Sequence, residues 1–103
     1  MIRVSVFYPN DKGARFDMKY YTGEHMPMVQ QKLSAALRRM EIDEGVAGGT
    51  PGSPPPYSAA CHLFFDSVEA FPAAFAPHAN GILADIPNYT NTQPTIQISE
   101  VKM

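Results

Sequence analysis

The sequence of 103 residues has no tryptophan, only one cysteine and few charged side chains. A single cysteine, Cys61, excludes an internal disulfide. Its position in an apolar run predicts a small buried side chain rather than a reactive thiol. Charged residues make up 17% of the chain, below the roughly 25% of a typical soluble domain. We therefore expect part of the surface to be covered, for example by a second copy of the chain.

The formal net charge is only −2, and the basic residues are scattered along the chain. This charge gives no electrostatic signal for binding nucleic acid or an anionic membrane. No apolar run approaches the roughly 20 residues that a membrane helix needs. The first residues do not show the basic segment and apolar stretch of a signal peptide. We predict a cytoplasmic protein with a single domain, residues 1–103.

Hydrophobic periodicity predicts four strands, two helices and one long loop. Alternation of apolar and polar residues indicates the strands, which we place at Ile2–Tyr8, Leu37–Val46, Ser58–Phe65 and Thr95–Val101. The loop contains four glycines and four prolines between Gly45 and Pro56, and its length suits the rim or lid of a pocket. The order β-α-β-β-α-β predicts an α+β, ferredoxin-like fold: a four-stranded antiparallel sheet with two helices on one face.

The first helix carries an unusual combination of residues. Asp17 is a typical N-cap, and an apolar stripe at helical spacing continues to Leu33. His25 lies on this stripe, and Pro27 follows it within the helix. Because proline lacks a backbone donor and crowds the preceding turn, we expect a kink there rather than an end to the helix.

The second helix is predicted to begin after Ser67, which is also a typical N-cap. Pro77 is suited to opening a further helical turn that continues to about Ala84. Asp85 and Tyr89 lie between this turn and the last strand, where we interpret them as part of a turn.

The third predicted strand is apolar on both faces, with Ala60 and Phe64 on one and Cys61, Leu63 and Phe65 on the other. A strand of this kind is covered on both sides. Two helices cover only one face of the sheet, so we expect two sheets to pair face to face in a homodimer.

The chain resembles the EthD family of small bacterial proteins in the dimeric α+β barrel superfamily. The resemblance covers essentially the whole chain and rests most visibly on the first helix, Tyr20-Tyr21 to Glu24-His25-Met26-Pro27, and on further segments: Tyr8-Pro9, His62-Leu63-Phe64-Phe65-Asp66-Ser67, Phe75-Ala76-Pro77-His78 and Asp85-Ile86-Pro87-Asn88-Tyr89-Thr90. It implies a homodimeric barrel formed by two facing sheets. The family is associated with bacterial degradation of ethyl tert-butyl ether, in which it accompanies an oxidative system. Relatives with this fold include cofactor-free oxygenases, cyclases, isomerases and haem-degrading enzymes.

We predict one small-molecule cleft per subunit, between the sheet and the kinked first helix. His25 is the predicted catalytic group because an imidazole titrates near neutral pH and can act as general acid or base. Tyr21 lies one turn earlier on the same face and can supply a hydroxyl. The alternative is a structural histidine that binds a carbonyl freed by Pro27.

The predicted substrate-binding residues are Tyr8, His62 and Met28. His62 lies in the pocket if its face of the third strand lines the barrel, and it is a core histidine if that face contacts the helices. Met28 belongs to the apolar stripe, and pliable core packing is the alternative for it.

We predict no metal and no cofactor. The three histidines are 37 and 16 residues apart and form no paired ligand motif. In fold relatives that degrade haem, a histidine of the second helix binds the iron, and His78 lies in that region. Those enzymes carry a tryptophan that this chain lacks.

Three functions remain open from the sequence. The first is cofactor-free acid/base catalysis on a hydrophobic or aromatic small molecule, of isomerase, cyclase, lyase or oxygenase type. The second is a non-catalytic protein that holds a catabolic intermediate or supports a partner oxygenase. The third is a structural dimer with a filled interior.

Overall fold

A computed structural model describes residues 1–103 and shows an antiparallel sheet covered by helices on one face. The strands are β1 (Ile2–Pro9), β2 (Arg39–Glu44), β3 (Tyr57–Phe65) and β4 (Thr95–Glu100). The first helical segment consists of α1 (Met18–Tyr20), a π-helical turn (Tyr21–His25) and α2 (Met26–Leu33). The second contains α3 (Ala70–Phe75) and α4 (Ala79–Asp85). Short 3₁₀ turns lie at Ser34–Ala36, Ala76–His78 and Ile86–Asn88.

The strands lie in the order β2-β3-β1-β4, and every neighbouring pair is antiparallel. This topology confirms the predicted ferredoxin-like fold. β3 and β1 are the two central strands, with Val4 opposite Leu63, and β2 and β4 form the edges. The central position of β3 agrees with its apolar character on both faces.

The sheet has two faces with different surroundings. The helix-side face packs against both helical segments and carries alternate residues of the central strands: Ile2, Val4, Val6, Tyr8, Ala59, Cys61, Leu63 and Phe65. The outer face carries the residues between them: Arg3, Ser5, Phe7, Ala60, His62 and Phe64. Cys61 is 3% exposed, which confirms that it is a small buried side chain.

The first helical segment accommodates Pro27, which lacks a backbone donor, by forming a wider turn just before it. Asp17 caps the segment, and its carboxylate accepts from the backbone N–H of Tyr20 at 3.0 Å. The backbone N–H of Met26 donates to the carbonyl of Tyr21, five residues earlier, as is characteristic of a π-helix. The helix then continues to Leu33 as expected. The departure from α-helical geometry therefore comes just before Pro27.

Several predicted boundaries differ from the structure. β2 begins at Arg39 rather than Leu37, because the chain first makes a 3₁₀ turn that Leu37 closes. α3 begins at Ala70, although the Ser67 hydroxyl accepts from the backbone N–H of Ala70 at 3.2 Å as predicted. None of the helices reaches the length and apolar character that crossing a bilayer requires.

Candidate functional site

A cavity of about 290 Å³ lies between the helix-side face and the two helical segments. Its volume is at the lower end of the roughly 300–1,000 Å³ typical of small-molecule sites. The walls are largely aliphatic and aromatic, and no lining residue is Asp, Glu, Lys or Arg. Leu83 and Ile96 line the cavity and are also more than half exposed. The cavity therefore meets the surface between α4 and β4.

His25 is held against this cavity by a carboxylate from the second helical segment. Its Nδ1 lies 2.8 Å from Oδ2 of Asp85, which is 60 residues further along the chain. Burial lowers the pKa of His25 below its usual value, although the hydrogen bond and charge of Asp85 act in the opposite direction. A neutral His25 donates from Nδ1–H to the carboxylate, so that Nε2 is a hydrogen-bond acceptor.

Asp85 has its own supporting hydrogen bonds. The Tyr20 hydroxyl donates to Oδ1 at 2.7 Å, and the Asn88 side-chain amide donates to the same oxygen at 2.9 Å. Partial burial opposes ionisation, but the hydrogen bonds from Asn88, His25 and Tyr20 outweigh it and lower the pKa of Asp85. The side chain is 17% exposed. Asp85 is thus a carboxylate fixed between the buried imidazole and solvent.

Two tyrosine hydroxyls continue this arrangement on the other side of His25. The Tyr89 hydroxyl lies 3.4 Å from Nε2 of His25 and 2.6 Å from the hydroxyl of Tyr8. Tyr89 is fully buried and Tyr8 is 3% exposed. Burial raises the pKa of Tyr8 to about 12 and also raises that of Tyr89. Both side chains are therefore neutral hydroxyls at physiological pH.

Tyr21 adds a third buried hydroxyl beside His25. Its ring stacks on the His25 imidazole, with ring centroids 5.7 Å apart and planes 13° from parallel. The hydroxyl is buried and has no hydrogen-bond partner, and burial strongly raises the pKa of this group. An unpaired buried hydroxyl costs free energy, and the Tyr21 hydroxyl is the one tyrosine hydroxyl beside His25 that makes no hydrogen bond.

Backbone contacts bring these separate segments together. The backbone N–H of Asp17 donates to the carbonyl of Tyr89 at 2.7 Å. Phe16 and Thr90 form an isolated antiparallel bridge next to that bond. The chain just before the first helical segment is thereby joined to the chain just after the second. This junction sets Tyr89 beside His25.

The structure brings together three of the predicted site residues. His25, Tyr21 and Tyr8 all line the cavity. Met28 is half-buried on α2 and is not part of the lining, which uses its neighbours Met26 and Val29. His62 lies on the outer face, so the alternative in which it contacts the helices is wrong. Catalytic or binding roles for these residues stay predictions.

His62 has a polar environment of its own. Its Nδ1 lies 2.8 Å from the Ser5 hydroxyl, and its Nε2 lies 3.1 Å from the carboxylate of Asp43 on the edge strand β2. This chain of three side chains is separated from the cavity by the sheet. It does not contribute to the His25 site.

Asp85 and Tyr89 are the site residues that sequence reasoning missed. The proline and asparagine of their segment predict a turn rather than a site. One signal in the sequence could have indicated a functional role for them. Asp85 and Tyr89 are a carboxylate and a tyrosine four residues apart, within a segment that resembles the EthD family. His78 lies at the end of a 3₁₀ turn, outside the cavity. No group of three or more histidine, cysteine or acidic side chains is arranged to hold a metal ion.

The fold and the site together define a ferredoxin-like α+β protein in which the last residue of a π-helical turn, His25, lines a helix-side cavity. The family model described as "EthD domain" matches residues 14–93, and the chain belongs to the EthD family. It is 32% identical over 97% of its length to an "uncharacterized 11.0 kDa protein in thcB-thcC intergenic region" of Rhodococcus erythropolis, 94% of which is covered.

Two solved structures resemble this fold. An EthD-like protein from Ralstonia eutropha JMP134 is 46% identical, with a TM-score of 0.95 over 99% of this chain and 92% of the other. An EthD family protein from Bacillus halodurans C-125 has a TM-score of 0.75 at 18% identity, with 99% of each chain covered. The second likeness supports the fold alone.

Proposed function

We propose that this protein binds a small, uncharged and mainly apolar molecule and catalyses a proton transfer on it without a cofactor. The observation that carries the proposal is the imidazole of His25, fixed by Asp85 at 2.8 Å and placed at the wall of an otherwise apolar cavity. General bases and acids of enzymes are typically held in this way by a third group.

The cavity lining supports an uncharged ligand. A charged ligand placed there loses its hydration and finds no Lys, Arg, Asp or Glu side chain to compensate. The volume of about 290 Å³ suits a molecule of one or two rings, or an aliphatic compound of similar size. This is the size and polarity of many hydrophobic or aromatic catabolic intermediates.

The protonation states support His25 as a general base. Burial lowers its pKa, so the neutral form prevails at neutral pH and Nε2 can accept a proton. The resulting imidazolium lies against the ionised Asp85, whose charge stabilises it. Proton transfer of this kind begins isomerisation, cyclisation and elimination reactions. It also generates the carbanion that cofactor-free oxygenation requires.

Exchange of carbon-bound hydrogen in 2-indanone tests this proposal. The ketone is uncharged, has two rings and carries acidic hydrogens next to its carbonyl. We expect the wild type to accelerate deuterium exchange in D₂O above the buffer rate, as followed by ¹H NMR. His25→Gln should lose that acceleration, by roughly 100-fold or more, while the matched control His78→Gln keeps it. Equal rates for wild type and His25→Gln would contradict catalysis by this group.

The polarity of the cavity favours a second candidate function, which is ligand holding without catalysis. His25 and Tyr8 are each only 3% exposed and Tyr21 is fully buried, so a ligand meets mostly apolar surface. Such a protein would hold a catabolic intermediate or deliver it to a partner oxygenase. Native mass spectrometry that finds a retained small molecule, together with no exchange activity on 2-indanone, would favour this candidate.

We also propose that the protein is a homodimer through its outer face. Phe7, Ala60 and Phe64 form an apolar centre on this face, which no helix covers. Pairing of two such faces would account for the apolar character of β3 on both sides. Size-exclusion chromatography with light scattering distinguishes a dimer from a monomer directly.

A further inference from the structure

We infer that Tyr89 and Tyr8 extend the His25–Asp85 pair into a proton relay that connects the cavity with the protein surface. The inference rests on the proposed acid/base function and identifies the groups through which the proton moves. In it, Tyr8 is the residue that exchanges a proton with the ligand, Tyr89 passes the proton on, and His25 receives it.

The four side chains form one continuous chain of polar contacts. The distances are 2.6 Å between the hydroxyls of Tyr8 and Tyr89, 3.4 Å from Tyr89 to Nε2 of His25, and 2.8 Å from Nδ1 of His25 to Asp85. Tyr8 lines the cavity and Tyr89 does not. At the opposite end, the Asp85 side chain is 17% exposed. One end of this series of hydrogen bonds, at Tyr8, therefore lies at the cavity, and the other end, at Asp85, lies at the solvent.

The position of Tyr89 explains how a nearly inaccessible histidine can act on a ligand. His25 is only 3% exposed, and the polar group nearest to its acceptor nitrogen is the Tyr89 hydroxyl. Tyr8 and His25 both line the cavity and are equally buried, but the single lone pair of a neutral Nε2 faces the Tyr89 hydroxyl, whereas the Tyr8 oxygen has a second lone pair. The relay needs no displacement of Tyr89, whereas direct contact between the ligand and Nε2 does.

The hydrogen-bond directions are consistent with such a relay. Either tyrosine can donate in the Tyr8–Tyr89 bond. When Tyr8 donates to Tyr89 and Tyr89 donates to Nε2, each hydroxyl uses its single proton once, and the Tyr8 oxygen keeps a lone pair for the ligand. Water does not interrupt the chain, because Tyr89 is fully buried.

The proton transfer balances without any further reactant. The acidic bond of the ligand breaks and its electron pair stays on the ligand, while its proton goes to the Tyr8 oxygen. The Tyr8 proton moves to Tyr89, the Tyr89 proton moves to Nε2, and His25 becomes an imidazolium paired with Asp85. Burial disfavours a phenolate at either tyrosine, which favours concerted movement of the three protons over a stepwise path through a phenolate. Reversal of the steps returns a proton to the same or another atom of the ligand.

Tyrosine-to-phenylalanine variants test the relay, because they remove one hydroxyl and keep the ring. We expect Tyr89→Phe and Tyr8→Phe each to slow protein-catalysed exchange of 2-indanone by about 100-fold. The dissociation constant for 2-indanone should change little in Tyr89→Phe, since Tyr89 does not line the cavity. The matched control is Tyr57→Phe, which should behave as wild type because the Tyr57 ring packs on Phe7 of the outer face and does not line the cavity. Wild-type exchange in Tyr89→Phe would overturn the relay.

A second measurement separates the relay from the proposed function. In protein labelled with ¹⁵N-histidine, the His25 signal is assigned by its absence in His25→Gln. We expect its Nε2 shift to change in both Tyr89→Phe and Tyr8→Phe, because loss of the Tyr8 hydroxyl removes the bond that Tyr89 accepts and so weakens the bond that Tyr89 donates to Nε2. A shift that moves in Tyr89→Phe but not in Tyr8→Phe would overturn the relay. In a further outcome, wild type shows no exchange of 2-indanone while both variants change the Nε2 shift of His25. That result would contradict the proposed catalysis of this exchange but would support the hydrogen-bonded connection from Tyr8 to His25.

Discussion

A histidine that bridges two side chains lies on each side of the sheet, but only one of these histidines lines the cavity. His25, in the first helical segment, joins Tyr89 and Asp85 on the helix side, and His62, in β3, joins Ser5 and Asp43 on the outer face. The hydrogen-bond patterns are similar, while the surroundings are not. The side chain of Asp85 is 17% exposed and that of Asp43 is 63% exposed.

Burial and a neighbouring cavity, rather than the hydrogen-bond pattern, are thus what distinguish His25 from His62 and support the role proposed for His25. Electrostatic interactions strengthen as water is excluded, so the carboxylate beside His25 can stabilise an imidazolium more effectively than an exposed one. The helix-side histidine also has room next to it for a substrate. The outer histidine lies on an open sheet face that suits contact with another protein surface.

The largest expected effect compares two neighbours on β3 that point to opposite faces. Leu63→Ala removes a side chain packed under the helices and should lower the free energy of unfolding by about 2–5 kcal/mol at any protein concentration. Phe64 on the outer face is only 9% exposed within a single chain, so Phe64→Ala should carry a packing cost at any concentration. It should also reduce the rise of stability with protein concentration that mass action gives the proposed dimer. Urea unfolding at two concentrations measures both effects. The same concentration dependence in wild type and Phe64→Ala would count against a dimer through this face.

The next comparison uses the two carboxylates. Asp85→Asn should reduce protein-catalysed exchange of 2-indanone by roughly 100-fold, which corresponds to about 2.7 kcal/mol, because the imidazolium loses its counter-charge. Asp43→Asn is the matched variant on the outer face and should leave the rate unchanged. Equal losses in both variants would mean that the two histidine sites are not chemically distinct.

The smallest effect is a dependence of stability on pH. Because burial lowers the pKa of folded His25, the unfolded chain binds a proton first as the pH falls below about 6.5. The free energy of unfolding should be fully retained above that pH and decrease below it, by at most about 1.4 kcal/mol per pH unit until folded His25 is itself protonated. Urea unfolding between pH 8 and pH 5 should show this component in wild type. An identical pH dependence in His25→Gln would contradict it.

Much of the fold could be predicted from the sequence because its signals are local. In β1 and β3, the alternation of residues along each strand predicts which side chains share a face of the sheet, and the structure agrees. The apolar stripe through His25 located the helix that forms one wall of the cavity. What alternation could not decide was which face of β3 the helices cover, since both faces are apolar. The placement of His62 therefore stayed open.

The partners of His25 could not be predicted for a different reason. Asp85 is 60 residues away, and the contact depends on how two helical segments pack. Proline and asparagine beside Asp85 and Tyr89 are equally consistent with an ordinary turn. The π-helical turn was also missed, because a helix-breaking proline indicates a disturbance but not its geometry. These features depend on tertiary packing, which one sequence does not reveal.

The π-helical turn also limits how this helix can change its length. An α-helix rotates by about 100° per residue, and the turn at Tyr21–His25 places one more residue than an α-helical turn between flanking positions. Deletion of Gly23, which lies in the turn, would restore α-helical spacing and leave the helix on either side in its present orientation. A residue gained or lost outside the turn would instead rotate the half of the helix that supports Asp85 relative to the half that presents His25. Evolution can therefore change the number of residues in this helix more easily within the turn than outside it.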